Sequence, residues 1–397
     1  MSAYLFVLNA GSSSLKFSAY GQAGAGWCVE ARGQVEGLGS AARLVAKDGS
    51  GRVLEDRALA RGASPLDVAI EWLRGHCSDA RVLGVGHRVV HGGASRAGPA
   101  RVTPELVREL QALVPLAPLH QPQNLAALDA VEKRLPGVPQ VACFDTSFHR
   151  GHAEVVQLVP LPRELRAGGV QRYGFHGLSY EYIASVLPEV APEIAEGRVI
   201  VGHLGSGASL CALLGRRSVD STLGFTALDG LCMATRPGSL DPGVVLHLFQ
   251  TAGQSAAQVE DVLYRKSGLV GISGSSSDMR ELLSRADHDA RLAVDYFVYR
   301  AAKEIGGLAA VLRGVDALVF TAGIGENSVE VRRRICEACG WLGVELDGEA
   351  NARHGPRISA PASRVSAWVI PTDEESMLAR HTAEVLGLSW GGRSRSA

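Results

Sequence analysis

The chain has 397 residues and a net charge of −1, which gives no reason to expect nucleic acid or an anionic membrane as a partner. With 46% hydrophobic and 20% charged residues it has the composition of a globular protein of roughly two or three domains, and no apolar run reaches the ~18 residues of a membrane span. The N-terminus lacks the basic region of a signal peptide and the seven cysteines are odd in number, so we expect reduced thiols in a cytoplasmic protein.

The first predicted elements form a strand–turn–strand near the N-terminus. Residues 4–8 are apolar and partly β-branched or aromatic, which predicts a buried strand, and the alternation at 15–20 predicts a second. Asn9, one glycine and three serines lie between them, and Lys16 follows. Backbone N–H groups, hydroxyls and an ammonium arranged in this way can bind an anion, although an ordinary hairpin has the same pattern. The segment is not a Walker P-loop, because no Gly-x-x-x-x-Gly-Lys-Ser/Thr run is present.

Further along the chain, predicted strands alternate with predicted helices. Residues 138–144, 199–203 and 316–320 have the apolar runs of buried strands. Apolar residues recur at helical spacing over 294–312, and Gly314 follows as a stop signal. This alternation indicates an α/β architecture.

The chain also carries a weak internal repeat. A shift of 194 positions places residues 9–12 on 203–206, and both segments lie between two predicted strands, the later one at 210–214. Two halves that each begin with a phosphate-type hairpin suggest a duplicated nucleotide-binding domain. A chance match of four residues is the alternative.

A second glycine-rich segment follows the predicted strand at 316–320. Residues 321–328 contain Gly-x-Gly, and a helix pattern then runs over 329–339. Asn327 and Glu330 have the spacing of a capping box. A strand, a glycine-rich turn and a helix N-terminus can bind nucleotide against exposed amides, although a plain βα turn has the same sequence.

Several charged side chains lie beside glycines or at strand ends. Arg88 lies between two histidines and a glycine pair, and Asp145 ends a predicted strand, where open α/β sheets bind ligands. Asp278, in the segment 273–280, has the position of a helix N-cap. Taken one at a time, these residues have structural explanations as surface charges, turn residues or caps.

Ten segments together resemble the acetate kinases, in matching order along nearly the whole chain. They are residues 8–17, 87–93, 116–124, 144–149, 172–177, 203–209, 235–242, 273–280, 320–328 and 372–375. The resemblance implies the duplicated two-domain acetate and sugar kinase/Hsp70/actin fold with a central cleft. The expected domains are 1–148 plus 376–397, with the phosphate hairpin, and 149–375, with the nucleotide site.

The resemblance also implies the reaction and its partners. The γ-phosphoryl group of ATP would pass reversibly to acetate, giving acetyl phosphate and ADP, with Mg²⁺ (or Mn²⁺) as cofactor and a homodimer as the assembly. A propionate or broader short-chain acyl kinase is the alternative, and a non-catalytic ATP-binding regulator of the same fold is a third. A carboxylate substrate is already ionised at pH 7 and needs no general base, so Asp145 is better interpreted as a metal-site residue. The chemistry instead needs positive charge to bring two anions together.

Roles follow from the resemblance, residue by residue. The predicted catalytic groups are Asp145, Arg88, Arg236, His176 and His120. The predicted nucleotide and phosphate contacts are Lys16, Ser12, Ser14, His203, Gly205, Ser206, Gly207, Asp278, Met279, Arg280, Gly323, Ile324, Gly325 and Asn327. The acyl substrate is expected to contact Arg88, Val90, Leu119, Phe175 and Ala227. The metal is expected near Asn9 and Glu374.

Two positions depart from the pattern of the family. Ser206 replaces an Asn that the family usually has, and a hydroxyl offers one donor where an amide offers two. Ala227 replaces a Pro that helps to wall the acyl pocket. Phosphate contact at the first position and chain-length preference at the second are therefore open.

Overall fold

The computed structural model describes residues 3–11, 14–24, 26–36, 42–77 and 81–391. In these ranges the strands are β1 (Ala3–Ala10), β2 (Ser14–Ala23), β3 (Gly26–Glu36), β4 (Arg43–Asp48), β5 (Val53–Ala58), β6 (Arg81–Val89), β7 (Ala100–Arg101), β8 (Gln140–Phe144), β9 (Arg198–Leu204), β10 (Ala208–Leu214), β11 (Arg217–Ser221), β12 (Ala317–Thr321) and β13 (Ser366–Val369). The α-helices of the same ranges are α1 (Pro65–His76), α2 (Pro104–Ala112), α3 (Gln121–Arg134), α4 (Glu154–Gln157), α5 (Arg163–Ala167), α6 (Gly177–Val190), α7 (Pro242–Gln250), α8 (Ala256–Arg265), α9 (Gly268–Ser273), α10 (Met279–Ser284), α11 (His288–Val311), α12 (Ala322–Asn327), α13 (Val329–Ala338), α14 (Gly348–Ala352) and α15 (Glu374–Val385). Short 3₁₀ turns occupy Val114–Leu116, Ser147–His149 and Gly340–Leu342.

The chain divides into two compact units. Unit 1 comprises Met1–Ser147 and Asp373–Ala397, and unit 2 comprises Phe148–Thr372. The C-terminal helix α15 therefore belongs with the N-terminal part of the chain, and it packs on β1, β6 and β8. The domain limits expected from the resemblance stay a prediction beside this division.

Unit 1 is built on a sheet whose described strands have the order β5-β4-β3-β2-β1-β6-β8-β7. Strands β1, β6 and β8 are parallel neighbours, and β2 pairs antiparallel with β1. Phe6, Leu8, Leu15 and Phe17 point from this sheet into a core that also takes buried residues of α1 and α3. The predicted strands at 4–8, 15–20 and 138–144 are confirmed.

Unit 2 repeats this topology. The order of its described strands is β11-β10-β9-β12-β13, with β10 antiparallel to β9 and with β9, β12 and β13 parallel. It matches β3-β2-β1-β6-β8 of unit 1 strand for strand, so the predicted internal repeat is confirmed. The strands expected at 199–203 and 316–320 and the helix expected over 294–312 are also present.

The state of the cysteines and the character of the helices can be compared with the expectations from composition. No disulfide joins any of the seven cysteines, all of which lie within the described ranges, and six of them are buried. Where the chain is described, no helix combines the length and the apolar character that crossing a membrane requires.

Candidate active site

The first group of predicted site residues lies at the carboxyl ends of three parallel strands of unit 1. Asn9 is near the end of β1, Arg88 is near the end of β6, and Asp145 follows β8 directly. Because β1, β6 and β8 are neighbours in the sheet, these ends meet at one edge, which is where open α/β sheets bind ligands.

Arg88 is the centre of this group. Its Nη2 lies 2.7 Å from Asp145 Oδ2, and its Nε lies 3.1 Å from both oxygens of the same carboxylate. Its Nη1 donates to Asn9 Oδ1 at 3.2 Å and lies 3.7 Å from Glu374 Oε2. Burial disfavours the charge on Arg88, but the carboxylates of Asp145 and Glu374 outweigh it and raise the pKa of the guanidinium. Arg88 therefore remains a cation.

Helix α15 brings two further carboxylates to the same edge. The helix lies close to β6, where a Cβ added at Gly86 would come within 2.2 Å of the Thr382 hydroxyl. Its first residues, Glu374 and Glu375, both accept hydrogen bonds from Asn9 Nδ2, at 3.0 and 3.1 Å. Burial raises the pKa of Glu375, and the ammonium of Lys16 opposes that rise.

The donors in this cluster are of the kind that Mg²⁺ takes. Asn9, Asp145 and Glu374 offer amide and carboxylate oxygens, the hard ligands that suit this ion. Several of these oxygens already accept hydrogen bonds from Arg88 or Asn9. Across the residues that the structure describes, no three His, Cys, Asp or Glu side chains form a cluster that could hold a metal ion. The cluster thus fits a hydrated ion better than a fully protein-ligated one.

The hairpin turn of unit 1 carries the predicted phosphate contacts. Lys16 pairs with Asn9 across β1 and β2, and Gly11 donates its N–H to the Ser14 carbonyl at 2.9 Å. The predicted contact Ser12 lies outside the described residues.

Val90, Leu119 and His120 also lie in unit 1. Val90 is buried, and its N–H donates to Asn124 Oδ1 at 3.0 Å, while Asn124 Nδ2 donates to the Ala10 carbonyl at 3.2 Å. Asn124 is itself buried in α3. Leu119 and His120 are partly exposed and immediately precede α3. Asn124 therefore connects the ends of β1 and β6 to this helix.

Unit 2 places a second cluster at the turn between β9 and β10. A Cβ added at Gly207 would lie 2.7 Å from Arg236 Nη2 and 3.2 Å from His176 Nε2, so only glycine lets both side chains approach the turn. Ala227 is buried, and its carbonyl accepts a hydrogen bond from Arg236 Nη1 at 2.8 Å. Phe175, next to His176, is also buried.

Arg236 differs from Arg88 in its surroundings. It is 8% exposed, and no described carboxylate forms an ion pair with it. Burial lowers the pKa of Arg236 to about 10, although proximity to Tyr264 opposes the shift. A buried cation without a carboxylate partner is stabilised by an anionic ligand.

Two histidines lie side by side next to this cation. The rings of His176 and His203 stack with centroids 4.2 Å apart and planes 19° apart. His176 Nδ1 is 2.8 Å from Ser209 Oγ, and His203 Nδ1 is 2.8 Å from Ser179 Oγ. The hydroxyls fix both rings. His176 also has a left-handed backbone, φ 56°, as the N-cap residue of α6. Strained backbone of this kind persists where the surrounding structure holds it.

A cavity of about 810 Å³ opens beside the same turn of unit 2. Most of the predicted nucleotide contacts of this unit line it, namely Gly205, Ser206, Asp278, Met279, Arg280, Gly323, Ile324 and Asn327. Gly325 does not line the cavity. It packs against the end of β12, where a Cβ would lie 3.3 Å from the Phe320 carbonyl carbon. Asp278 caps α10 by accepting the Arg280 N–H, and the Arg280 side chain lowers the pKa of Asp278 to about 2.

Two predictions about the glycine-rich segment are wrong. Residues 322–327 form the short helix α12, not a turn, and this helix begins at Ala322 with φ 64°. The cap of α13 is Ser328, whose hydroxyl accepts the Val331 N–H, and Asn327 instead donates to the Gly323 carbonyl. Glu326 stabilises the backbone at the start of α12, because its carboxylate accepts the N–H of both Ala322 and Thr372.

The sequence interpretation missed Arg332. This side chain is 0% exposed, and it donates to the carbonyls of Gly325 and Glu326 and to the side-chain oxygen of Asn351. It therefore ties the end of α12 to α14. The sequence feature that could have indicated this role is an arginine at a helix position that should face the core.

Comparison with known proteins agrees with the fold. Residues 4–380 match the model of the acetokinase family. An acetate kinase of Rhodopseudomonas palustris (strain ATCC BAA-98 / CGA009) is 53% identical, over 99% of this chain and 100% of its own. The crystal structure of Porphyromonas gingivalis acetate kinase matches with a TM-score of 0.83 and 36% identity, over 97% of this chain and 100% of that one. A propionate kinase structure from Francisella tularensis matches with a TM-score of 0.87 and 31% identity, over 96% and 100%. The chain belongs to the acetokinase family.

Proposed function

We propose that this protein transfers the γ-phosphoryl group of ATP to acetate, reversibly, giving acetyl phosphate and ADP. The observation that carries the proposal is Arg236, a buried cation without a carboxylate partner beside the His176 imidazole. In a phosphotransferase that joins two anions, such a cation compensates the charge that gathers on the transferring group. We assign to His176, whose ring is held by Ser209, a hydrogen bond to the same group.

The cluster in unit 1 suits the same reaction without a general base. Acetate is ionised at pH 7, so no proton must be removed before attack. Asp145 is bound to Arg88 by three short contacts, which keeps its carboxylate paired. We assign Arg88 to the acyl substrate and the phosphoryl group, and Asn9, Asp145 and Glu374 to a hydrated Mg²⁺. That ion, or Mn²⁺ in its place, would neutralise charge on the phosphates.

We assign the 810 Å³ cavity to the nucleotide. Its wall combines small residues, which let a ligand approach the backbone, with the Ser328 end of α13, where exposed N–H groups favour phosphate. His203 lies near the end of β9, Gly205 and Gly207 lie in the adjacent turn, and Lys16 and Ser14 belong to the hairpin of unit 1. His120 is assigned to the phosphoryl path by resemblance.

Propionate is the second candidate acyl substrate. Phe175 and Ala227 are buried in unit 2, and Ala227 stands where the family usually has Pro. They are proposed to contact the acyl group, and Val90 and Leu119 are assigned to the same substrate by resemblance. A propionate kinase is among the similar structures. The smaller side chain at 227 favours a pocket that also admits a three-carbon acid.

A homodimer and a cytoplasmic location are part of the proposal. Both rest on the resemblance to the family. Sedimentation of the purified protein measures the first, and a sedimenting mass of one chain at micromolar concentration contradicts it.

The experiment that tests the function traps the product as a hydroxamate. Purified protein is supplied with ATP and Mg²⁺ and with acetate, propionate or butyrate in turn. We expect hydroxamate from acetate, and none when Mg²⁺ is chelated. ATP binding without hydroxamate from any of the three acids would instead indicate a non-catalytic regulator.

A further inference from the structure

Beneath the His176 segment of unit 2 lies a buried polar cluster to which the resemblance assigns no role. It consists of His149, His152 and Ser218, which are 1%, 8% and 5% exposed. The Ser218 hydroxyl, on β11, is 2.7 Å from His149 Nδ1 and 2.7 Å from His152 Nε2. The other nitrogen of His149, Nε2, lies 2.9 Å from the carbonyl oxygen of Phe175.

The protons in this cluster can be assigned by counting donors and acceptors. The Phe175 carbonyl only accepts, so His149 Nε2 carries a hydrogen and, in the neutral ring, Nδ1 is an acceptor. The Ser218 hydroxyl must then donate to His149 Nδ1, and His152 Nε2–H must donate to the same oxygen. Cys211 Sγ, 3.2 Å away, can donate to the remaining lone pair. A single tautomer of each ring satisfies all of these contacts.

The surroundings keep both rings neutral. Burial lowers the pKa of His149 to about 4. It lowers the pKa of His152 to about 3, with smaller contributions from His149, Arg172 and Arg150. Near neutral pH the cluster therefore has no charge, and its hydrogen bonds have the one arrangement derived above.

This cluster supports the backbone that leads into His176. The chain crosses the His149 ring at Gly174, where φ is 75° and a Cβ would come within 2.6 Å of the ring. The His149 bond then holds the Phe175 carbonyl, and the next residue, His176, takes its left-handed φ of 56°. The His149 ring also contacts the edge of Tyr180, whose hydroxyl is 2.5 Å from Ser209 Oγ, the partner of His176.

We propose that His149, Ser218 and His152 are positioning residues, which hold the Phe175 carbonyl so that His176 meets the transferring phosphoryl group and Phe175 keeps its place beside the acyl group. None of the three touches substrate in this scheme. The inference rests on the proposed function, because it assigns a purpose to the orientation of a residue placed in that reaction.

The kinetic test compares hydroxyl removals on one strand. Ser218→Ala deletes the shared hydroxyl. Ser221→Ala deletes another buried hydroxyl of β11, whose Oγ has no hydrogen-bond partner among the described residues. We expect Ser218→Ala to lower kcat for acetate roughly 10- to 100-fold, the scale of a small misplacement of a reacting group, with the KM for ATP unchanged. Ser221→Ala should stay within about twofold of the parent. Equal effects of the two variants on kcat would overturn the proposal.

A second pair of variants separates positioning from folding. His149→Gln can keep a donor near the Nε2 position and so hold the Phe175 carbonyl, whereas His149→Asn is too short to reach it. We expect His149→Gln to recover a large part of kcat that His149→Asn loses, at equal thermal stability. If the two lose the same activity, the bond to Phe175 is not what matters.

The tautomers provide a readout that does not depend on the activity. Nitrogen-15 NMR of the histidine rings in the parent should show His149 and His152 neutral and protonated on Nε2 at pH 7. A proton on His149 Nδ1 would contradict the cluster as assigned, even in an active enzyme. A parent with these tautomers that phosphorylates no short acid would overturn the proposed function while leaving the arrangement in place.

Discussion

The five described strands of the unit 2 sheet match five strands of the unit 1 sheet, but the charged side chains at the corresponding strand ends differ. In unit 1 the ends of β1, β6 and β8 carry Asn9, Arg88 and Asp145, so the cation there is paired with carboxylates. In unit 2 the ends of β9 and β12 carry His203 and the segment that begins α12. The cation nearby, Arg236, has no described carboxylate partner.

The two hairpins differ in the number of residues between their last paired positions. Residues 11–14 lie between the last paired residues of β1 and β2, Ala10 and Leu15, whereas only 205–207 lie between Leu204 and Ala208 in unit 2. In the turn of unit 2, Gly207 lies against Arg236 and His176. The repeated sheet thus supplies equivalent positions in the two units, and the side chains at the strand ends determine which charges lie there.

The largest expected effect comes from breaking the two arginines separately. Both Arg88→Ala and Arg236→Ala should lower kcat/KM by roughly 10²–10⁵, the scale of losing a charge stabiliser in phosphoryl transfer. Their stabilities should diverge. Arg88→Ala leaves Asp145, 1% exposed, as a buried carboxylate without its cation, which costs about 3–5 kcal/mol of unfolding free energy. Arg236→Ala removes an unpaired buried charge and should cost far less.

Urea denaturation and steady-state kinetics of the two variants measure this difference. Arg88→Lys is the matched control, because it keeps the charge and loses the forked geometry. Equal losses of stability in Arg88→Ala and Arg236→Ala would show that the two cations are held in the same way, against the contrast drawn above.

The next effect concerns acid. Burial lowers the pKa of His87 in β6 to about 3, against a smaller opposing contribution from Gln140. Below pH 6.5 His87 takes up a proton in the unfolded chain, whereas the buried ring in the folded protein stays neutral. The free energy of unfolding therefore decreases as the pH falls from 6.5 toward 3. Between pH 7.5 and 4.5 the loss of stability from this one group should be roughly 3 kcal/mol.

His87→Leu tests that sign. The variant should lose roughly 3 kcal/mol less than the parent between the two pH values, whatever its stability at pH 7.5. His149 and His152 of unit 2 add their own acid loss to both proteins and cancel in the comparison. If the parent and His87→Leu lose the same stability between pH 7.5 and 4.5, the folded protein accommodates a protonated His87.

A smaller effect should follow from the acyl pocket proposed for Phe175 and Ala227. Ala227→Pro adds ring atoms and should shift the preference toward acetate, since one methylene in an apolar pocket changes discrimination by about 1–3 kcal/mol. Ala227→Val adds bulk without fixing φ and is the control for backbone effects. The measurement is the ratio of kcat/KM for propionate to acetate. A ratio that is the same in all three proteins would place residue 227 away from the acyl group.

The smallest effect should come from Ala322, where α12 begins. Its φ of 64° is a conformation that costs a non-glycine residue about 1–2 kcal/mol. Ala322→Gly relieves that strain and should raise the unfolding free energy by up to about 1 kcal/mol, after the added freedom of the unfolded chain is subtracted. Ala310→Gly, an exposed site in α11, is the matched control and should cost about 1 kcal/mol. Stabilities that fall equally in both variants would show that position 322 is not strained.

Local patterns predicted much of the fold because its strands are short apolar runs with polar ends. The strands of both hairpins and the long helix α11 follow from residues close in sequence. The glycine-rich segment was predicted as a turn, but it forms α12, because Glu326 accepts N–H groups from Ala322 and Thr372, which no local pattern indicates. The N-cap of α13 is Ser328 and not Asn327 for a local reason, because the Ser328 hydroxyl accepts the Val331 N–H.

Residue patterns along the chain were enough to identify the family, the α/β class and the repeat, and to propose which charged residues the chemistry needs. Which of those charges are paired depends on contacts between segments that are distant in sequence. Arg88 and Asp145 are 57 residues apart in sequence, and His149 and Ser218 are 69 apart, yet both pairs are in hydrogen-bond contact. Burial and pairing depend on the parallel strands that bring distant segments to one edge. The free energy of a charge depends on its neighbours in space, and a residue's type does not reveal them.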